Sequence, residues 1–250
     1  MKLRFLWQQT QQIVGLIYAA IRYADKFPDK DTYAGAVKYS LPFKGKWVVI
    51  NGGVDKDTSH SWDIYPQRYA YDFLILDDEG SSYSGDEQVL NSYYCYSKEI
   101  LAPADGLVVA VYDHFSDCRI IEAGQTDPSA SDIAGNRIVI QHAEYEFSTS
   151  CHLMPQSATV QVGQQVKRGD VIGRCGNSGN TSEPHLHFQV QNTKSFYSSI
   201  GLPIRFKSII KSPAVNYERV DPRPKPSYGD VKDGYIVRGL AVENVEGYHA

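Results

Sequence analysis

The four cysteines, Cys95, Cys118, Cys151 and Cys175, include no C-x-x-C pair, which argues against a four-thiol zinc site of the usual spacing. They read either as two disulfides in an oxidising compartment or as buried thiols. Basic charge is not in excess. The net charge is −4, so nothing in the composition points to a nucleic-acid partner. A membrane-spanning run is also missing, because the apolar stretch Ile13–Ile21 is too short to cross a bilayer. There is no internal repeat and no low-complexity tract. What remains is an ordinary globular composition, 42% hydrophobic and 22% charged, enough for one large core with attachments. The 18 tyrosines, set among Val, Ile and Phe, favour sheet and suit a groove for extended polymers.

At the N-terminus, Lys2 and Arg4 precede the apolar run much as in a secretory signal. Gln8, Gln9, Gln11 and Gln12 interrupt it, however, and no small-x-small cleavage site follows. Leu6, Ile13, Leu16, Ile17, Ala20 and Ala24 make a helical stripe. The expectation is an amphipathic helix over 3–24, packed through that stripe on the domain or a partner. Strands are predicted over 46–51, 69–76, 100–112 (two, turning at Ala104-Asp105-Gly106), 136–142, 144–153, 160–166, 170–175 and 185–191. Polar loops fill 52–66, 77–98 and 113–135. The segment 219–232, with Pro222, Pro224 and Pro226, reads as an extended linker, and 233–250 as a short strand and a tail. Short strands at close spacing with Gly/Pro turns predict a mainly β, antiparallel domain at 40–210. A helix and linker (1–39) precede it and an extension (211–250) follows.

One stretch dominates, Gly176-Asn-Ser-Gly-Asn-Thr-Ser-Glu-Pro-His185-Leu-His187-Phe188. Side chains alternate along a strand, so His185, His187, Gln189 and Gln191 share one face, toward a groove or solvent. Leu186, Phe188 and Val190 share the core face. Two imidazoles side by side hold a metal, move protons, or are simply solvated. Upstream, Asp72 sits in a run apolar on both faces, and an unpaired buried carboxylate is costly. Its partner is either an arginine such as Arg68 or a metal ion.

Five segments occur in order: Asn136-Arg-Ile-Val-Ile-Gln-His142, Cys151-His152-Leu153, Val162-Gly163 with Val166–Gly173, Gly176–Thr181, and Pro184-His-Leu-His-Phe188. Together they resemble the lysostaphin/LytM-type zinc metallopeptidases over roughly residues 100–191, and five in order are more specific than any one. The resemblance implies a lysostaphin-like fold with an open groove and an endopeptidase that cuts the peptide part of bacterial peptidoglycan with Zn2+, in the cell envelope or secreted. It makes Asp72 and His187 metal ligands and His152 and His185 catalytic. One ligand departs from the pattern. The family's His-x-x-x-Asp would place a histidine at 68, where this chain has an arginine that cannot ligate a metal.

The expected substitute is His60, in the polar loop before the Asp72 strand, since closing a loop of twelve residues is inexpensive. His142, His114, Asp63 and Cys151 are less suited to the place, and a solvated His60 is the plain alternative. Two rival functions stay open. One is a non-catalytic relative that binds wall or activates another hydrolase. The other is a zinc peptidase acting on soluble peptides.

Overall fold

The computed structural model describes residues 2–24, 26–122, 124–229, 231 and 234–245. His249 and the end of the expected tail lie outside these residues. Among the described residues one α-helix, α1 (Lys2–Tyr23), precedes eleven strands. These are β1 (Trp47–Gly52), β2 (Tyr71–Leu74), β3 (Glu99–Leu101), β4 (Gly106–Tyr112), β5 (Asn136–Ala143) and β6 (Glu146–Leu153). After them come β7 (Gln165–Val166), β8 (Val171–Arg174), β9 (Leu186–Gln191), β10 (Ile209–Pro213) and β11 (Leu240–Asn244). Nine form one sheet in the order β10-β11-β1-β2-β9-β6-β5-β4-β7, every pair antiparallel, and β3 pairs with β8 separately. The mainly β, antiparallel fold predicted from the strand pattern is what the chain adopts.

Alternation sets the two faces of the sheet. Tyr71 and Phe73 pair with Phe188 and Leu186, and all four are fully buried in the main core with Trp47, Ile138 and Ile140. Ile100 of β3 and Ile172 of β8 join the same core, so the small sheet packs on the apolar face of the large one. Burying each such side chain contributes about 1.5–3 kcal/mol. A one-residue slip of β9 would lose that burial and drive His187 into the core. The register that pairs Asp72 with His187 is therefore fixed from behind by Leu186 and Phe188.

Several expectations need correction. The turn at Ala104-Asp105-Gly106 does not close a hairpin: β3 pairs with β8, and β4 with β5 and β7. The helix forms, but its predicted stripe faces outward, with Leu6, Ile13 and Ile17 each more than half exposed. Gln8, Gly15 and Ala19 face the body instead. At Gly15 a Cβ would stand 1.9 Å from the Tyr197 carbonyl oxygen, so only glycine allows this approach. The Gln8 amide donates to the Ser131 carbonyl. The segment read as linker is tied down by the buried Asp221, which accepts from Tyr217 Oη at 2.6 Å and Arg238 Nη1 at 2.9 Å. β10 and β11 extend the large sheet beyond β1.

Candidate metal centre

β2 and β9 deliver the first two groups. Asp72 and His187 are cross-strand partners on the polar face, with His187 Nδ1 2.9 Å from Asp72 Oδ1. The loop between β1 and β2 brings the third, His60 Nε2, to 3.1 Å from Asp72 Oδ2. Arg68, the residue at the departing position, organises that loop. Its guanidinium lies over the rings of Trp62, Tyr65 and Phe27 at 4.6, 5.1 and 5.3 Å. Its Nε donates to the Trp62 carbonyl at 2.8 Å, and its own carbonyl accepts from Ser59 Oγ at 2.6 Å. An arginine held in this way folds the loop back so that a histidine twelve residues before Asp72 meets the carboxylate.

One donor atom from each of His60, Asp72 and His187 lies within 4.8 Å of the others. Two imidazoles and one carboxylate suit zinc better than magnesium or calcium, and three protein donors leave a coordination position free. Burial pushes the Asp72 carboxyl up, but the rings of His60, His187 and His185 outweigh it and hold it well below the usual carboxylate range. Asn51 Nδ2 donates to Asp72 Oδ2 at 3.5 Å, a contact that no sequence signal marked.

His152 and His185 face the same space. Their rings are 4.7 Å apart, and His185 Nε2 is 3.7 Å from Asp72 Oδ1. Strand alternation alone would send His152 elsewhere, because its neighbour Cys151 pairs with His187 and shares its face. His152 has φ 59°, a left-handed backbone that turns its ring back toward the site. Strain of this kind concentrates at functional positions.

The loop 176–184 fixes both rings. His152 Nδ1 donates to the Ser178 carbonyl at 2.8 Å and His185 Nδ1 to the Glu183 carbonyl at 2.8 Å. Each neutral ring therefore presents Nε2 as an acceptor. Burial, reinforced by the neighbouring His185 and His187, pushes His152 well below the ordinary imidazole range. The loop is held by buried side chains: Ser178 Oγ donates to Leu153 O at 2.7 Å, and Asn177 Nδ2 to Cys118 O at 2.9 Å. Gly179, at φ 92°, lies against Gly135 where a Cβ would meet backbone at 2.6 Å.

A groove of about 820 Å³ runs past Asp72 and His185, with Tyr83, Tyr93, Glu87 and Arg223 among its walls. Loop 77–98 forms a rim: Ser82 Oγ donates to Glu183 Oε2 at 2.6 Å and the Cys95 thiol to the Pro184 carbonyl at 3.0 Å. The remaining candidates stand apart. His114 is exposed in an insertion. His142 is bonded at both nitrogens, to Asp105 O at 2.8 Å and Ser148 Oγ at 2.7 Å. All four cysteines are buried free thiols.

Residues 94–198 match Peptidase family M23, a span that holds His152, His185 and His187 but not His60 or Asp72. Among curated relatives, the peptidoglycan DD-endopeptidase ShyA of Vibrio cholerae is 42% identical over 57 residues, 23% of this chain and 13% of that protein. The glycyl-glycine endopeptidase ALE-1 of Staphylococcus capitis is 36% identical over 153 residues, 60% of this chain and 36% of that protein. The chain thus spans only a minor part of either relative. A solved catalytic domain of the prophage-encoded M23 protein EnpA from Enterococcus faecalis is 15% identical. The overlay covers 66% of this chain and 95% of that one at a TM-score of 0.42. The family match and the ordered motif run fall on the same segment, so residues 94–198 are similar to Peptidase family M23.

Proposed function

We propose that the protein is a zinc-dependent endopeptidase acting on peptide bonds of bacterial peptidoglycan, in the envelope or outside the cell. The observation that carries this reading is the His60–Asp72–His187 donor set beside two further imidazoles at the edge of a groove. In it, His60, Asp72 and His187 hold the ion. Zinc bound there would supply a Lewis acid for the scissile carbonyl and acidify the attacking water. His152, kept neutral by burial, accepts that water's proton through Nε2 and returns it to the leaving amine. His185, when it carries a proton on each nitrogen, donates through Nε2 to the developing oxyanion from a position 3.7 Å from Asp72 Oδ1. An extended peptide lies in the groove between the 77–98 rim and the wall that carries Arg223. In domain terms, 40–210 forms the catalytic body, 1–39 the helix and its linker, and 211–250 an extension that lends strands and groove wall.

His60 beside Asp72 argues for catalysis over a wall-binding module that has lost a ligand. The test is digestion of purified peptidoglycan, read as new free amines, with a chelator and zinc add-back and with the variants His60→Ala and His114→Ala. The expected result is chelator-sensitive cleavage, lost in His60→Ala and retained in His114→Ala. Full activity in His60→Ala would reject the ligand set. Release of sugar ends alone would reject the peptidase.

A further inference from the structure

β9 carries a polar row that the proposed chemistry does not use. Gln189 and Gln191 follow His187 at two-residue spacing on the same face, and both are completely buried. The sequence left them facing a groove or solvent. Instead they form a directed chain. Gln191 Nε2 donates to the Thr193 carbonyl at 2.9 Å, Gln189 Nε2 donates to Gln191 Oε1, and His187 Nε2 stands 2.9 Å from Gln189 Oε1.

The direction of this chain is not arbitrary. A backbone carbonyl only accepts, so it selects the amino end of the Gln191 amide. That turns the Gln191 oxygen toward Gln189, which selects the amino end of Gln189 in turn. The Gln189 oxygen is then left facing His187, and only a protonated Nε2 can bond to it. With the Gln189 and Gln191 side chains sealed from solvent, water offers no alternative partner, and a reversed amide would bury an unmatched donor or acceptor at a cost of about 1–3 kcal/mol. The chain thereby asks for a proton on His187 Nε2, while the Asp72 carboxylate asks for one on Nδ1; a cation between Nδ1 and Asp72 removes the second demand and leaves the proton on Nε2. The ring's lone pair then lies on Nδ1, the atom 2.9 Å from Asp72.

We propose that Gln189 and Gln191 are positioning residues that relay the polarity of the Thr193 carbonyl to His187, fixing its proton on Nε2 and reserving Nδ1 for the cation shared with His60 and Asp72. The proposal rests on the metallopeptidase reading above, because the cation takes the place of the proton that Asp72 would otherwise hold on Nδ1. A ligating imidazole whose far nitrogen is held in this way is oriented and made more basic, and losing such a partner weakens metal binding about 10–100-fold.

The experiment uses the full chain with labelled histidines. It reads the His187 ring nitrogens by NMR in the zinc-loaded protein. Zinc affinity is measured separately by chelator competition. Wild type is expected to show the Nε2–H tautomer. Gln189→Leu should mix the tautomers and weaken zinc about 10–100-fold. Gln189→Glu keeps an acceptor toward His187 but loses the donor to Gln191 Oε1, so it should keep the Nε2–H tautomer in the zinc-loaded protein where Gln189→Leu does not. Gln191→Leu, one link removed, should show a smaller loss in the same direction. His187 protonated on Nδ1 in wild type, or zinc held by Gln189→Leu as tightly as by wild type, would overturn the relay. A folded wild type that binds no zinc would sink the metallopeptidase reading and the relay with it, an outcome distinct from zinc bound with His187 protonated on Nδ1.

Discussion

At the residue scale the instructive position is His152. Its neighbour Cys151 occupies the slot opposite His187, so a regular strand would point His152 away from the site. The left-handed φ of 59° reverses that. Its Nδ1–H bond to the Ser178 carbonyl then aims Nε2 inward. Replacing His152 with alanine is expected to lower peptidase turnover at least about 10²-fold, as for a positioned acid–base group, while zinc content stays at the wild-type level. Turnover assays paired with elemental analysis check this, and unchanged turnover would remove His152 from the proposed chemistry. The pairing of His185 and His187 was legible from two-residue spacing alone. The aim of His152 was not, because a positive φ at a non-glycine residue leaves no trace in a hydrophobic pattern. The ordered family motifs supplied that residue instead. Gln189 and Gln191 were legible as a polar row, but their burial depends on packing that the row does not encode.

Among elements, the β1–β2 loop decides whether the site is complete. Its position at Asp72 rests on Arg68, stacked among Trp62, Tyr65 and Phe27. In the sequence this arginine looked like a lost ligand, and nothing local showed that it reshapes the loop that carries His60. Arg68→Ala should release the loop, raising amide exchange over 53–70 and weakening zinc about 10-fold, the low end for loss of a supporting residue. Arg68→Lys should recover little, since an ammonium cannot stack as a plane. Calorimetric zinc titration and exchange mass spectrometry read both effects. The helix gives the opposite lesson. Its existence was legible from periodicity, but its buried face was not, because small Gly15 and Ala19 make the contact and the large apolar side chains stay outside. Gly15→Ala puts a Cβ 1.9 Å from the Tyr197 oxygen and should cost about 1–3 kcal/mol in denaturant unfolding.

Across the whole molecule, acid stability draws on titratable groups outside the donor set. Burial holds His142 down to about 4, so it stays neutral in the fold at pH values where the unfolded chain protonates it. Its contribution is complete above the ordinary value of 6.5 and is lost as pH falls from there toward 4. At Asp221, burial acts upward but Arg223 and Tyr217 outweigh it and hold the carboxyl at about 2. That contribution is complete above 3.8 and is lost as pH falls toward 2. Melting temperature against pH should therefore fall in two stages, with the first shallower in His142→Gln and the second shallower in Asp221→Asn. The antiparallel sheet itself was legible from strand spacing, whereas the partners of β3 and β4 were not, since a tight turn between two apolar runs reads as a hairpin even when each strand pairs elsewhere. The central claim is that His60, Asp72 and His187 together hold zinc. X-ray absorption at the zinc edge of the loaded protein tests it most directly. The account predicts nitrogen and oxygen neighbours at about 2.0–2.2 Å, an imidazole signature from two rings, and no sulfur shell. A sulfur neighbour near 2.3 Å, or a single imidazole, would contradict it.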